Sequence, residues 1–286
     1  MVFKTLYKGA NVHEKNESRQ DVVRFAYRQP SVSLWDLTRP GITHNISISG
    51  LPGDHIYETI KRTKTFYEIQ ALVTLYRWAR GSLGMVLDIG ANIGNHTVFF
   101  AKVLGASVVS VEPSPRAITF LRTNIDLNGI TDRVKVIECA AGERSGRISL
   151  VESLPTNIGA THVAENYVNC RNHITVELRT VDEIVNELNK DEPCNISLIK
   201  IDVEGFEQKV LSGATNVIRE HLPLILVEIH TDEALLWTRA MLSKYGYGAP
   251  VKLPAWSPTY LFDRGLRKMC QASLYWMWRI YRRFTT

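Results

Sequence analysis

The sequence predicts a doubly wound α/β fold, with a mostly parallel sheet and helices on both faces. From residue 85 onward, short apolar and β-branched segments alternate with segments whose apolar residues have helical spacing. Such alternation is typical of parallel strands joined by crossover helices. The first of these strands ends in a glycine-containing turn, residues 90–94, that opens a helix. In doubly wound sheets such a turn borders the ligand-binding crevice.

The individual elements follow from the spacing of apolar residues. Strands are predicted at residues 85–89, 107–111, 134–139, 196–201 and 224–229. Helices are predicted at residues 59–80, 95–104, 115–128, 181–188, 207–220 and 232–245. Residues 147–178 fit the alternation less well, and two strands around a polar loop are predicted there, at 148–151 and 174–178.

Three regions are predicted along the chain. Residues 1–58 form an N-terminal extension of short strands and turns, residues 59–250 the main domain, and residues 251–286 a basic, aromatic tail. Within the tail, residues 266–284 have the pattern of an amphipathic helix. We favour a helix that docks on the core or on another subunit. Peripheral contact with a membrane interface is the alternative.

The composition sets limits on function and compartment. The formal net charge is +5, which is too weakly basic to indicate a nucleic-acid partner. The four cysteines form no C-x-x-C pair, so neither a zinc knuckle nor a redox motif is indicated. The N-terminal residues lack the layout of a signal peptide, and no apolar run reaches the roughly 20 residues of a membrane span. We therefore expect a cytoplasmic protein, and the oligomeric state stays open.

The turn after the first strand has the pattern D-x-G-x-N-x-G, from Asp88 to Gly94. Gly90 and Gly94 are expected to let a nucleoside approach the backbone, and Asp88 to accept from a ligand ammonium group or to organise the loop. A dinucleotide site needs G-x-G-x-x-G, but Asn92 and Asn95 replace two of its glycines, which makes a nicotinamide enzyme a distant alternative. A P-loop would need Gly-Lys-Ser/Thr, which is absent. A turn that merely connects strand and helix is the other interpretation.

Glu112 favours a nucleoside site over a simple connecting turn. It ends the second strand, 24 residues beyond Asp88. A carboxylate at this position can accept two hydrogen bonds from a ribose diol. Considered without the turn, it would more often be a solvated acid at a strand end.

These segments resemble the FkbM-type methyltransferases. The likeness runs from about residue 68 to residue 247, and its matching parts are Leu87-Asp88-Ile89-Gly90-Ala91-Asn92-Ile93-Gly94 with Thr97, Val111-Glu112-Pro113, Asn124-x-x-x-Asn128, Ile199-Lys200-Ile201-Asp202-Val203-Glu204-Gly205-Phe206-Glu207, Val210-Leu211-x-Gly213-Ala214 and Val227-Glu228-Ile229-His230. The resemblance implies the class I methyltransferase sheet, S-adenosylmethionine as cofactor, and methylation of hydroxyls on sugars, polyketides and glycolipids. It also implies an acidic residue near the cofactor, for which Glu68 is the candidate; a solvated position on a helix is the alternative for this residue. The cofactor is expected on Asp88, Gly90, Asn92, Gly94 and Glu112, with small residues such as Ala141 beside the adenine.

Acidic and histidine side chains follow the next two strands. Asp202 and Glu204 come after the fourth strand, and Glu228 and His230 close the fifth. Because parallel strands end at one rim, these groups are expected beside the transferable methyl group. His230 is the predicted general base for an acceptor hydroxyl, with Asp202 and Glu204 as alternatives or positioning groups.

Less specific interpretations of this cluster remain. The glutamates can cap the following helix, and His230 can be structural. A divalent cation held by Asp202 and Glu228 is the less favoured alternative, since oxygen ligands suit magnesium or calcium.

Taken together, the sequence predicts an S-adenosylmethionine-dependent O-methyltransferase acting on a hydroxyl of a sugar, glycolipid or secondary metabolite. The expected partner is a small-molecule or glycan acceptor, with no nucleic acid. An N-methyltransferase on the same scaffold, or a non-catalytic membrane-associated binding module, are the rival hypotheses.

Overall fold

The structure, a computed structural model, describes residues 21–29, 42–79, 83–151, 162–163, 173–191 and 193–264. The described strands are β1 (Val22–Arg28), β2 (Thr43–Ser49), β3 (Met85–Ile89), β4 (Ser107–Val111), β5 (Val134–Ile137), β6 (Ala140–Ala141), β7 (Gly146–Val151), β8 (His162–Val163), β9 (His173–Arg179), β10 (Ile196–Ile201), β11 (Leu224–Glu228), β12 (Val251–Lys252) and β13 (Thr259–Phe262). The described α-helices are α1 (His55–Thr63), α2 (Ile69–Trp78), α3 (Asn95–Val98), α4 (Pro115–Asn128), α5 (Val181–Asp191), α6 (Glu207–Ser212), α7 (Thr215–His221) and α8 (Asp232–Ser243).

The main sheet has the strand order β12-β13-β11-β10-β3-β4-β5. Strands β11, β10, β3, β4 and β5 are parallel, whereas β13 is antiparallel to β11 and β12 to β13. The chain winds outward from β3 to β5 and then crosses to the other side at β10. This reversal places a crevice between the carboxyl ends of β3 and β10. The predicted doubly wound, class I methyltransferase-like fold is confirmed.

The two faces of the sheet are buried against different helices. Val86 and Val108 belong to a hydrophobic cluster that also contains side chains of α2 and α4. The next residues, Leu87 and Val109, belong to a second cluster with side chains of α5, α7 and α8. This alternation is what a strand covered on both faces requires, since successive side chains point to opposite sides.

The hairpin of β1 and β2 packs on the main domain through aromatic and amide side chains. Phe25 and Tyr27 both meet Phe66 edge to face, with centroids 5.4 Å apart. On α4, Asn124 accepts from the backbone N–H of Ser49 at 2.6 Å and donates to its carbonyl at 2.9 Å. Asn128 bonds both backbone groups of Ser47 in the same way. The Asn-x-x-x-Asn pair therefore satisfies the free edge of β2 much as a neighbouring strand would.

A smaller sheet accounts for the region that fits the alternation poorly. Its order is β6-β9-β7-β8, with β7 and β9 antiparallel. The two strands predicted at 148–151 and 174–178 are confirmed within this sheet as β7 and β9.

Two predicted helices are each divided in two. The helix predicted over residues 59–80 is wrong as a single element, because Lys64 and Glu68 have φ values of 52° and 54° and separate α1 from α2. The helix predicted over 207–220 breaks at Gly213, where a Cβ atom would stand 2.0 Å from the carbonyl oxygen of Gly142. The predicted helix at 95–104 begins as α3 and continues as a π-helical turn, Phe99–Val103.

The predicted regional boundaries stay predictions. Strands β12 and β13 lie within the predicted tail, yet they extend the main sheet. The amphipathic helix predicted at 266–284 lies outside the described residues, as do residues 1–20. In the part of the chain that the structure describes, no helix has the length and apolarity to cross a membrane.

Candidate active site

An open cleft lies at the carboxyl ends of β3, β4 and β10. It encloses about 1110 Å³, counting the space at its mouth that is continuous with solvent. Its wall combines backbone of the glycine turn, small residues after β5, and charged side chains; it includes Tyr67, Glu68, Gly90, Asn92, His96, Glu112, Cys139, Ala140, Ala141, Lys200, Asp202, Glu204, Phe206, Glu228 and Ser257. This is the position that the sequence predicts for the cofactor.

The two glycines of the turn are required by close packing as well as by conformation. Gly90 has φ 76°, and a Cβ atom there would lie 1.8 Å from the carbonyl oxygen of Asp202. Gly94 has φ 87°, and its Cβ would lie 2.7 Å from a methyl group of Leu121. Asn92 also has positive φ, at 51°. The turn is therefore fixed by its contacts with the β10 loop and α4, a reason that differs from the ligand approach expected from the sequence.

Asp88 lies beneath this turn and is fully buried. Its Oδ2 accepts a hydrogen bond from Thr97 Oγ1 at 2.7 Å. Its Oδ1 lies 3.4 Å from Lys200 Nζ. Asp88 is not among the described residues that line the cleft. Of the two roles predicted for it, this placement favours organisation of the loop over direct contact with the ligand.

Lys200 is a buried cation of the site to which the sequence analysis assigned no role. It points from β10 into the interior, where Nζ donates to the carbonyl of Gly90 at 2.9 Å and lies 3.2 Å from Asp202 Oδ2. Burial lowers its pKa, but the carboxylates of Asp202 and Asp88 outweigh burial and raise the pKa above its ordinary value. Its signal in the sequence is a cation within the apolar strand 196–201. Lys residues are almost never buried unless paired.

Glu112 is held at the edge of the cleft by two backbone donors. Oε2 accepts from the N–H of Asn92 at 2.8 Å, and Oε1 from the N–H of Ser114 at 2.9 Å. Each oxygen retains acceptor capacity, because an ionised carboxylate has about four lone-pair sites. Burial raises the pKa of Glu112 to about 7, although the two backbone hydrogen bonds oppose the rise. Such a carboxylate fits a ribose diol.

The wall beyond Glu112 is small and apolar. Cys139, Ala140 and Ala141 line it, and all three are buried. Small side chains leave room for a planar base between the ends of β4 and β5 and the β10 loop. This fits the adenine position predicted beside Ala141, which stays a prediction.

On the opposite side, Asp202 and Glu228 form a hydrogen-bonded carboxyl pair. Burial, together with the neighbouring charge of Asp202, raises the pKa of Glu228 to about 9. Burial disfavours the charge on Asp202 as well, but Lys200 and the hydrogen bond from Glu228 outweigh it and lower the pKa of Asp202. These opposite pKa shifts favour a proton on Glu228 that is directed towards an ionised Asp202.

His230 lies outside this wall. Its Nε2 is 3.0 Å from Glu228 Oε1, and its side chain is 49% exposed. The described residues that line the cleft include Asp202 and Glu204 but not His230. The structure thus brings two of the three predicted catalytic residues to the cleft and places the third behind Glu228.

Glu204 occupies the turn after β10, with φ 51°, and is exposed. The same turn is capped by Glu207, whose Oε1 accepts from the N–H groups of Val203 and Gly205 at 3.2 and 3.0 Å. Both donors precede α6, and its N-cap residue, Phe206, has no side-chain capping hydrogen bond, so Glu207 stabilises the turn rather than the helix end. Glu204 faces the cleft itself.

The residues predicted as an alternative metal site, Asp202 and Glu228, already have a cation beside them, because the ammonium group of Lys200 lies 3.2 Å from Asp202. Within the described ranges, no group of three or more His, Cys, Asp or Glu side chains has a geometry that could hold a metal ion.

Glu68 and His96 lie beside each other in the wall of the cleft, and both side chains are largely buried. Glu68 Oε1 accepts from the N–H of Trp256 at 3.2 Å, and Oε2 lies 3.7 Å from His96 Nε2. Burial, then the charge of Asp202, raises the pKa of Glu68. The sequence analysis placed Glu68 near the cofactor and overlooked His96, although His96 immediately follows the glycine turn and Asn95.

Comparison with known proteins agrees with this geometry. The family described as "Methyltransferase FkbM domain" matches residues 88–248. The hexuronic acid methyltransferase AglP of Haloferax volcanii is 32% identical over 161 residues, which cover 54% of this chain and 62% of that protein. The 31-O-demethyl-FK506 methyltransferase FkbM of Streptomyces tacrolimicus is 25% identical over 192 residues, covering 57% of this chain and 72% of that protein. The crystal structure of methyltransferase FkbM from Methylobacillus flagellatus KT has 25% identity and a TM-score of 0.47, and the match covers 64% of this chain and 43% of that one. The chain thus spans less than two thirds of AglP and less than half of the crystallised protein.

Proposed function

The chain belongs to the FkbM methyltransferase family, and from this premise we propose that it transfers the methyl group of S-adenosylmethionine to a hydroxyl group of a sugar or sugar-bearing metabolite or lipid. The observation that carries the proposal is the pairing of Glu112 with the glycine turn at the switch point of the sheet. That pairing provides two carboxylate oxygens for a ribose beside small residues that admit an adenine.

The remaining cofactor contacts are proposed from the same wall. Gly90 and Asn92 offer backbone at the cleft, and Ala141 borders the adenine position. Gly94 and Asp88 support the turn from behind. S-adenosylmethionine supplies an electrophilic methyl group on a sulfonium, together with an ammonium group that needs anionic acceptors. Ionised Asp202 and Glu204 fit that need at the end of β10.

The acceptor is proposed to enter beside Glu228 and Glu204. A protonated Glu228 donates as well as accepts, so it can hold either the oxygen or the hydrogen of an alcohol. His230, at 3.0 Å from Glu228, then acts on Glu228 rather than directly on the acceptor. Alignment of the acceptor oxygen with the methyl carbon supplies much of the acceleration, because it replaces a bimolecular encounter.

The choice of a hydroxyl-rich acceptor has two supports. By their names, AglP acts on a hexuronic acid and the Streptomyces protein on 31-O-demethyl-FK506. In this chain, the acceptor side is lined by Glu68, Asp202, Glu204 and Glu228. Carboxyl groups accept hydrogen bonds well from the hydroxyl groups of a polyol.

The test is methyl transfer from trideuteromethyl S-adenosylmethionine to aryl glycosides, followed by mass spectrometry of the glycoside. The set comprises a glucoside, a glucuronide and an amino-sugar glycoside, with Glu112→Ala as the matched inactive control. We expect label on a hydroxyl of the glucoside. Label confined to the amino group would favour N-methyl transfer, and an absence of S-adenosylmethionine binding by the wild type would favour a non-catalytic module.

A further inference from the structure

A histidine that none of the preceding roles uses lines the cleft. His96 lies in the first turn of α3, directly after the cofactor turn, and its side chain is only 12% exposed. His96 is one of the residues that line the cleft. It therefore reaches the same space as the proposed acceptor, which the exposed His230 does not.

The backbone around His96 is fixed against the segment that carries Glu68. Asn95 Oδ1 accepts from the N–H of Tyr67 at 2.9 Å, and Nδ2 donates to the carbonyl of Tyr67 at 3.1 Å. These two hydrogen bonds join the residues next to Glu68 and His96 in the chain. Glu68 is oriented further by the N–H of Trp256 at 3.2 Å. The 3.7 Å separation of Glu68 Oε2 and His96 Nε2 is thus set by the fold.

Burial favours a neutral imidazole at His96 before the substrate binds. Burial lowers the pKa of His96 to about 4, and Lys200 adds to this effect, while Asp88 and Asp202 oppose it. The groups that face it are therefore Glu68 from the turn before α2, Lys200 and Asp202 from β10 and its loop, and Asp88 from β3. A neutral imidazole is a free base and does not repel a sulfonium.

We propose that His96 is the catalytic residue that accepts the proton of the acceptor hydroxyl, and that Glu68 is its positioning residue. This inference rests on the proposed function. Imidazole bases in other enzymes are commonly oriented by a carboxylate that is itself held by a hydrogen bond. His96, Glu68 and the backbone N–H that Glu68 accepts from have the same order. Apo distances of this kind commonly shorten when the substrate is bound.

The step is balanced without any further reactant. A lone pair of the acceptor oxygen forms the new bond to the methyl carbon, and the electrons of the carbon–sulfur bond stay on sulfur. The hydroxyl proton passes to His96, which becomes an imidazolium facing the Glu68 carboxylate. Water then removes that proton and restores the neutral ring.

The test compares His96→Gln and His96→Asn with Glu68→Gln and Glu68→Asp, using the glycoside that the wild type methylates. Loss of general-base catalysis typically costs about 10²- to 10⁴-fold in rate. We expect kcat of both His96 variants to fall about hundredfold or more. S-adenosylhomocysteine affinity, measured by calorimetry, should change less than about threefold, because the proposed loss is confined to proton transfer. His173→Asn, an exposed histidine on β9 outside the cleft, serves as the control with unchanged kcat.

A second readout does not depend on turnover. NMR titration of the His96 ring in the free protein should show a neutral ring down to about pH 4 in the wild type. Because burial raises the pKa of Glu68 above its ordinary value, Glu68 is protonated where the ring titrates, so Glu68→Gln should leave this titration in place. At neutral pH, Glu68→Gln should lower kcat without a change in S-adenosylhomocysteine affinity, and Glu68→Asp should restore part of kcat. A solely structural Glu68 would lower kcat only together with that affinity or the melting temperature.

The inference is overturned if either folded His96 variant, checked by its melting temperature, keeps kcat within about threefold of the wild type. A hundredfold loss in His230→Gln with no loss in the His96 variants would return the role to the base predicted from the sequence. If the wild type neither binds S-adenosylhomocysteine nor transfers methyl groups, the proposed function itself fails, which is a different outcome.

Discussion

Replacing Lys200 by methionine removes a buried cation that joins β3, the glycine turn and β10. Nζ lies 3.4 Å from Asp88, 2.9 Å from the carbonyl oxygen of Gly90 and 3.2 Å from Asp202. Methionine matches the length of the side chain and its preference for the core, so the change deletes a charge with little loss of volume. The stability of the folded state should therefore report the electrostatics of this network.

The expected loss of folding stability in Lys200→Met comes mainly from Asp88, whose charge would lose its partner. This carboxylate is fully buried, and its Oδ1 makes no hydrogen bond within the described part of the chain. Removing one partner of a buried ion pair costs about 3–5 kcal/mol, because the other charge stays buried without compensation. Asp202 contributes less, since its side chain is 33% exposed and it accepts from Glu228. We therefore expect Lys200→Met to lower the free energy of unfolding by about 3 kcal/mol.

Urea denaturation measures this loss, and a double variant tests its cause. Asp88→Asn combined with Lys200→Met removes both charges and should recover most of the stability, as neutral replacements of buried pairs generally do. Lys209→Met is the matched control, because its ion pair with Glu143 at 2.8 Å is half exposed and should be worth less than about 1 kcal/mol. The reasoning is refuted if Lys200→Met costs no more than Lys209→Met, or if Asp88→Asn gives no recovery.

Three further predictions concern the hairpin contact, the cofactor carboxylate and the turn. Asn124→Ala leaves three buried backbone groups without partners and should lower the free energy of unfolding, measured in urea, by about 3 kcal/mol. Thr123→Ala, at a half-buried neighbour on the same helix, should cost less than about 0.5 kcal/mol, and equal effects would contradict the edge-pairing role. Glu112 has a pKa of about 7 in the free protein and must be ionised to accept two hydrogen bonds from a ribose. The affinity for S-adenosylhomocysteine, measured by calorimetry, should therefore fall roughly tenfold from pH 8 to pH 6. An affinity that does not change with pH would contradict that contact. Gly90→Ala places a Cβ atom 1.8 Å from a carbonyl oxygen and should abolish either folding or S-adenosylhomocysteine binding. Gly129→Ala, also at positive φ but with open space around it, should bind normally. Similar behaviour of the two variants would contradict the packing argument.

Local sequence signals were sufficient where they agree with the tertiary structure. The helix predicted at 115–128 is confirmed to the residue, because Ser114 caps its start, Pro115 occupies its first position and Gly129 ends it in the left-handed conformation. The strands at 85–89, 107–111 and 196–201 are confirmed equally well, since each is an apolar run buried on both faces.

The two helices that were wrongly predicted as single elements are interrupted for physical reasons that the spacing of apolar residues does not reveal. Lys64 and Glu68 have positive φ where the chain turns between α1 and α2. Neither lysine nor glutamate is a residue type that favours positive φ, so the sequence does not indicate a turn there. Gly213 interrupts a helical pattern because the backbone of Gly142 comes too close for any side chain. Tertiary contacts of this kind override local propensity.

The candidate site was predicted in part. The turn and Glu112 carry a recognisable spacing, whereas Lys200 and His96 acquire their roles only when β10 and the segment before α2 are brought beside β3. His230 has the expected position at the end of β11, yet the orientation of its side chain away from the cleft depends on packing beyond the sequence pattern.

The central claim is tested most directly by calorimetry of S-adenosylmethionine and S-adenosylhomocysteine binding to the wild type and to Glu112→Ala, with and without magnesium. Each hydrogen bond to a charged carboxylate is worth about 1.5–3 kcal/mol, so losing two should weaken binding by about 100-fold or more. We predict micromolar binding to the wild type, that loss in the variant, and no change with magnesium. An absence of binding to the wild type, or equal binding by Glu112→Ala, would contradict the account.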